Sequence, residues 1–133
     1  MTCGGALRAP LAQPEDIMAT KHYTGSCQCG AIAFQVEADL DRTLTCNCSR
    51  CRRLGSVLTF VPRAALSFDR DGPTTEYRFH AEAIAHRFCP TCGIEAYALG
   101  EQNGQAMAAI NVNCLDGVDA RALDSQAVDG ASR

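Results

Sequence analysis

The 133-residue chain has no apolar run near the 18 or so residues of a membrane-spanning helix. Its first twenty residues lack an apolar signal core, since Arg8, Glu15 and Asp16 interrupt them. Neither membrane insertion nor export is expected, and the cytoplasm is the default compartment. Lysine is nearly missing: Lys21 stands against eleven arginines, and the formal net charge is −3. Acidity and a single lysine argue against nucleic acid as a partner. Large apolar side chains are also limited, because 21 alanines and nine cysteines leave 32 of them, enough for one core and not two. With 47% hydrophobic and 20% charged residues, the chain is nevertheless not of disordered composition. There is little helical periodicity, no low-complexity segment, and no internal repeat beyond pairs of cysteines.

What remains is strand pattern. Residues 1–20 carry Gly4-Gly5, two prolines and no periodicity, and are expected to be a disordered leader, with residues 21–133 as the single folded domain. Met18 is expected to be the natural start. In Ala31 to Glu37, Ile32, Phe34 and Val36 alternate with Gln35 and Glu37, which is the signature of a half-buried strand. Val57 to Val61, Thr75 to Phe79, Ile84 to Phe88, Glu95 to Leu99 and Met107 to Val112 read the same way. Turn signals fall at Asp71-Gly72-Pro73, Gly100 to Gly104 and Asp116-Gly117. Ser49 to Leu54 is expected to coil briefly and Pro62 to Leu66 to make one turn. The fold class is all-β, a sandwich or barrel.

Nine thiols without an export signal fit a disulfide framework poorly: the number is odd, and a bridge within Cys-x-Cys would be strained. Seven of them fall into three groups, Cys27-Gln-Cys29, Cys46-Asn-Cys48-Ser-Arg-Cys51 and Cys89-Pro-Thr-Cys92. Zinc takes four ligands in a closed structural site and commonly three plus an exchangeable one in a catalytic site, so seven divides as four and three. Alternate strand residues project to one face about 6.6 Å apart, which lets Cys27 and Cys29 converge. Cys89 and Cys92 do so from a turn whose following glycine can take a positive φ. These four are expected to form the structural site. Cys46, Cys48 and Cys51 come from one loop with no neighbouring fourth ligand, so a second zinc there would keep a position open to water or substrate. The competing arrangement is a second structural zinc completed by Cys114 or by one of His22, His80 and His86. Arg50, Arg52 and Arg53 flank the trio. Arg52 and Arg53 are candidate substrate-binding residues for an anionic group, against the alternative of a solvated basic turn.

Gly25-Ser-Cys-Gln-Cys-Gly-Ala31, Cys46-Asn-Cys-Ser-Arg-Cys-Arg-Arg53 with Gly55-Ser56, Arg87-Phe-Cys-Pro-Thr-Cys-Gly93 and Asn111-Val-Asn113 together resemble the glutathione-dependent formaldehyde-activating family, which includes the centromere protein V type. The resemblance implies a zinc-containing β-tent of mainly antiparallel strands. It implies a structural zinc on Cys27, Cys29, Cys89 and Cys92, and a labile one near substrate on Cys46, Cys48 and Cys51. It also implies a carbon–sulfur lyase acting on S-hydroxymethylglutathione, the adduct of glutathione with formaldehyde, or on a related thiol conjugate. Two readings of other classes stand beside it: a non-catalytic zinc-stabilised binding module and a thiol-based redox sensor.

Overall fold

The computed structural model describes residues 20–78 and 84–132. Of the expected leader only Thr20 falls among them, and Cys3, Phe79 and His80 lie outside. Ten strands and one short helix run in the order β1 (Lys21–Ser26), β2 (Ile32–Ala38), β3 (Thr43–Cys46), α1 (Cys51–Leu54), β4 (Leu58–Pro62), β5 (Leu66–Asp71), β6 (Thr75–Tyr77), β7 (Ala85–Phe88), β8 (Glu95–Gln102), β9 (Gln105–Asn111) and β10 (Gln126–Val128), counted among the described residues. They form a three-stranded sheet, β1-β2-β5, and a seven-stranded sheet, β10-β3-β4-β9-β8-β7-β6. Neighbours are antiparallel except β10, which runs parallel to β3. The chain is all-β, as its alternation implies.

Alternation places the core. Along β9, Ala108 and Ile110 face the three-stranded sheet, where Ile32, Phe34 and Val36 of β2 meet them, while Met107 and Ala109 face the opposite side. That opposite side is covered by the loop carrying Cys46, Cys48 and Cys51. The two cysteine groups therefore sit on opposite faces of the seven-stranded sheet, since Cys27, Cys89 and Cys92 belong to the cluster between the sheets.

Several boundaries differ from the sequence pattern by one residue, and the two at the β8–β9 turn differ by more, for one reason. β8 runs on to Gln102 and β9 begins at Gln105 because the turn is confined to Asn103-Gly104, at φ 52° and 80°. Two consecutive positive φ values are what a two-residue hairpin turn matching strand twist requires, and Asn-Gly supplies them. The expected coil is α1, and the expected turn after Pro62 is a single 3₁₀ turn, Arg63–Ala65.

Gly25 marks the tightest approach in the sandwich. A Cβ there would lie 2.7 Å from the Phe34 ring, 2.8 Å from the Cys114 carbonyl oxygen and 3.1 Å from Leu115. Backbone at that distance cannot rotate away. Gly25→Ala is expected to destabilise the fold by about 1–3 kcal/mol, the usual range for overpacking. The measurement is a lower urea midpoint with an unchanged slope.

Candidate metal centres

The first centre forms where two turns meet. In the turn after β1, the Cys27 amide donates to the Ile32 carbonyl oxygen at 3.0 Å and the Gly30 amide to the Cys27 carbonyl at 3.3 Å. In the turn between β7 and β8, the Cys89 amide donates to the Ile94 oxygen at 3.0 Å and the Gly93 amide to the Cys89 oxygen at 2.7 Å. Gly30 and Gly93, each directly after a cysteine, have φ of 83° and 78°, a conformation that β-carbon-bearing residues resist. The turns thus repeat one design, with backbone amides left to point at sulfur. Ile32 N–H donates to Cys27 Sγ at 3.4 Å.

The four sulfurs of Cys27, Cys29, Cys89 and Cys92 lie within 4.8 Å of one another. Cys29 Sγ is 3.8 Å from Cys27 Sγ and 3.6 Å from Cys89 Sγ. A tetrahedral zinc with bonds of about 2.3 Å needs sulfurs about 3.8 Å apart, whereas a disulfide would need about 2.05 Å. The donor set therefore fits zinc, and all four thiols are free. Backbone donors already favour charge on two of them. The Ile94 amide leads in lowering the Cys92 thiol to about 6, and the Cys92 amide leads in lowering that of Cys89. For Cys29 the Ala31 amide pulls downward, but proton sharing with Cys89 and desolvation push the thiol up to about 11.

The second group is built by one loop. Cys46 ends β3, Cys48 follows in the turn, and Cys51 opens α1, whose left-handed C-cap Gly55 has φ 66°. All three cysteines are buried and their sulfurs also lie within 4.8 Å of one another. The Cys51 amide donates to Cys48 Sγ at 3.3 Å, repeating the amide-to-sulfur motif of the first centre. Burial raises the Cys48 thiol above its ordinary value. Cys51 is disulfide-bonded in the structure, so three thiolates describe the reduced state of the loop.

Neither Cys114 nor a described histidine completes the trio within that distance. Cys114 packs against the core beside the first centre, and burial, then the charges of Cys27 and Cys92, push its thiol up to about 12. His22 is exposed and paired with Glu37 at 2.9 Å. His86 is buried on the trio's side of the sheet, opposite Ala98, with its Nδ1 at 3.3 Å from Glu95.

The two candidate substrate arginines diverge. Arg52 lines a pocket of about 340 Å³ together with Cys46, Asn47, Val128 and Asp129. Arg53 lines another, with Ser49, Leu54 and Tyr77, and donates to the Ser49 carbonyl at 2.7 Å. Asn47, close to the trio in sequence, is committed elsewhere: its amide donates to Asp129 at 3.1 Å and its oxygen accepts from Ala131 N–H at 2.9 Å, which pins the segment after β10 over the loop. A larger cavity of about 470 Å³ opens at the other end of β3, around Thr43, Thr59 and Phe60, and contains no cysteine.

Sequence reasoning passed over one group beside the trio. Arg50 Nε and Nη2 donate to Glu95 Oε1 at 3.1 and 2.6 Å, and Glu95 also faces His86. Residues 50, 86 and 95 share no motif: the β7–β8 pairing brings 86 and 95 together, and the trio's loop sets Arg50 against Glu95.

An all-β chain with a four-cysteine cluster and a second, three-cysteine cluster, each able to hold a metal ion, defines a class of small cysteine-rich β proteins. Residues 22–128 match the family described as glutathione-dependent formaldehyde-activating enzyme, and the chain belongs to it. Its fold is similar to the crystal structure of a Rhodobacter sphaeroides protein solved as a structural-genomics target, with 32% identity and a TM-score of 0.70 over 78% of this chain and 97% of that one. No helix among the described residues is long and apolar enough to cross a membrane.

Proposed function

We propose that the protein is a zinc-dependent carbon–sulfur lyase acting on a small thiol adduct, S-hydroxymethylglutathione or a close relative, in the reducing cytoplasm. The observation that carries this reading is the trio Cys46, Cys48 and Cys51, buried together beside a pocket that shares Cys46 with an exposed cation, Arg52. In the direction of synthesis the thiol sulfur bonds to the carbonyl carbon of the aldehyde and the thiol proton ends on oxygen. Cleavage is the reverse. A free thiol is mostly protonated at neutral pH. Zinc held by Cys46, Cys48 and Cys51, with a fourth position left open, would stabilise the substrate thiolate or polarise the hemithioacetal oxygen.

The chain's own residues supply the rest. Arg52 holds a substrate carboxylate, for which a guanidinium is a bidentate donor. The segment after β10, pinned by Asn47, walls the pocket on the side of Val128 and Asp129. Arg53, tied to Ser49, contributes charge from the other flank of the loop. The cysteines act as ligands and are not alkylated in the cycle.

The test is the rate of formation and breakdown of the adduct of glutathione with formaldehyde, followed by NMR with and without the reduced, zinc-loaded protein. Acceleration that vanishes when the second zinc is stripped supports the proposal. A rate equal to the uncatalysed one sinks the lyase reading and leaves the binding module. If Arg52 grips a carboxylate, Arg52→Ala should raise KM about tenfold or more with a smaller change in kcat. That corresponds to one charged hydrogen bond of about 1.5–3 kcal/mol.

A further inference from the structure

Arg50, Glu95 and His86 form a largely buried polar chain that the chemistry above does not use. The Arg50 side chain is 22% exposed, that of Glu95 8% and that of His86 1%. The Arg50 guanidinium also lies 4.7 Å from the centroid of the Tyr77 ring. Charges this far from water are costly to place and are kept only where both partners are well held.

What the pair joins is specific. Arg50 is the residue before Cys51, at the N-cap of α1, and its amide and that of Cys51 both act on the Cys48 sulfur. No side chain caps the helix N-terminus, and α1 has only four residues, too short to hold itself. Glu95, three residues beyond Cys92, opens β8, and its carbonyl accepts from Asn111 Nδ2 at 2.9 Å. One end of the ion pair is therefore fixed to the four-cysteine turn and the sheet. The other end carries the loop of the three-cysteine group.

We infer that Glu95, through its ion pair with Arg50, is a positioning residue for the second metal centre, holding the Cys46–Cys51 loop so that its three sulfurs converge before metal arrives. The inference rests on the reading of that trio as a metal centre. Preorganised ligands bind without having to be ordered by the metal, so the pair raises affinity although neither side chain is a ligand. It also ties the second centre to the first, because the Glu95 backbone continues directly from the Cys89–Cys92 turn.

The experiment is zinc affinity of the reduced, full-length chain, measured by competition with a chromophoric chelator, for the unaltered protein, Glu95→Gln, Arg50→Gln, Arg50→Lys and the double Gln variant. Each Gln variant should bind its second zinc about 10–100-fold more weakly, the range for losing a group that orients a ligand. The first zinc should change less than about twofold, and the double variant should be no weaker than the singles, since both remove one interaction. Arg50→Lys, which keeps charge but loses the fork, should fall between. Second-zinc affinity within about twofold of the unaltered protein in both Gln variants would overturn the inference, as would strictly additive losses in the double variant. If Glu95→Gln does not fold, Arg50→Gln, changed on the more exposed side of the pair, decides alone. An unaltered chain that takes up only one zinc would instead defeat the second-centre reading itself.

Discussion

A Cys89→Ser variant is expected to lose its first zinc and, with it, the folded state. Cys89 is fully buried in the cluster between the two sheets, and its centre joins the turn after β1 to the turn between β7 and β8. No other covalent or coordinate link of this kind joins the three-stranded to the seven-stranded sheet among the described residues. The apparent binding free energy of a structural zinc at neutral pH is about 10–16 kcal/mol. Total stability of a small domain is about 5–15 kcal/mol. Removing one ligand of four leaves too little affinity to offset that difference, and a serine hydroxyl at this buried position adds a desolvation cost. Circular dichroism should show loss of the cooperative melt, matched by the unaltered chain after exhaustive chelation. A variant that melts at the original temperature would show that the core, not the metal, holds the sheets together.

A Cys48→Ser variant should behave differently, dropping from two zincs to one and losing activity by at least about a hundredfold, as expected when the group supplying Lewis acidity is gone. It should stay folded. Its loop spans six residues and closes no long connection, so the centre it would lose clamps nothing distant. The same centre should be the more acid-sensitive. Burial holds the Cys48 thiol above its ordinary value, so zinc must displace a proton there at neutral pH. Affinity then falls as pH falls, by about tenfold per unit for that thiol. In the first centre Cys29 is pushed up to about 11, but Cys92 is lowered to about 6 and Cys89 is lowered as well, so two of its four ligands stand nearer to thiolate before metal binds. Acidification from pH 8 towards 6, followed by zinc release to an indicator, should therefore empty the second centre first. Simultaneous release would contradict the assignment of different thiol environments.

The legible parts of this chain were those where local pattern and structure agree. Ile32, Phe34 and Val36 alternate in sequence and are buried in the core. The cysteine spacings gave the two groupings because i,i+2 and i,i+3 pairs can converge only locally, and the count left one way to combine them. β1, β3, β5 and β10 were not singled out. Each lies at a sheet edge or near it and is short or largely exposed, and β5 and β10 are held by pairing with strands distant in sequence rather than by their own alternation. The Arg50–Glu95–His86 chain was hidden for a related reason. Glu95 reads as an ordinary polar start to a strand, and its burial follows from the irregular β7–β8 pairing after Arg87 and from what the trio's loop brings against it. His86 was read as a strand residue, which it is. What the sequence could not display is the company it keeps.

The central claim is that seven cysteines form one closed and one open metal centre. Cobalt titration of the reduced, metal-free chain tests it most directly, because each thiolate bound to cobalt adds a charge-transfer band and tetrahedral coordination adds visible absorption. The account predicts two steps: a first equivalent with the intensity of four thiolates, and a second with that of three, whose visible bands shift when a small thiol is added. A second equivalent that produces no thiolate band, or one indifferent to added thiol, would contradict it.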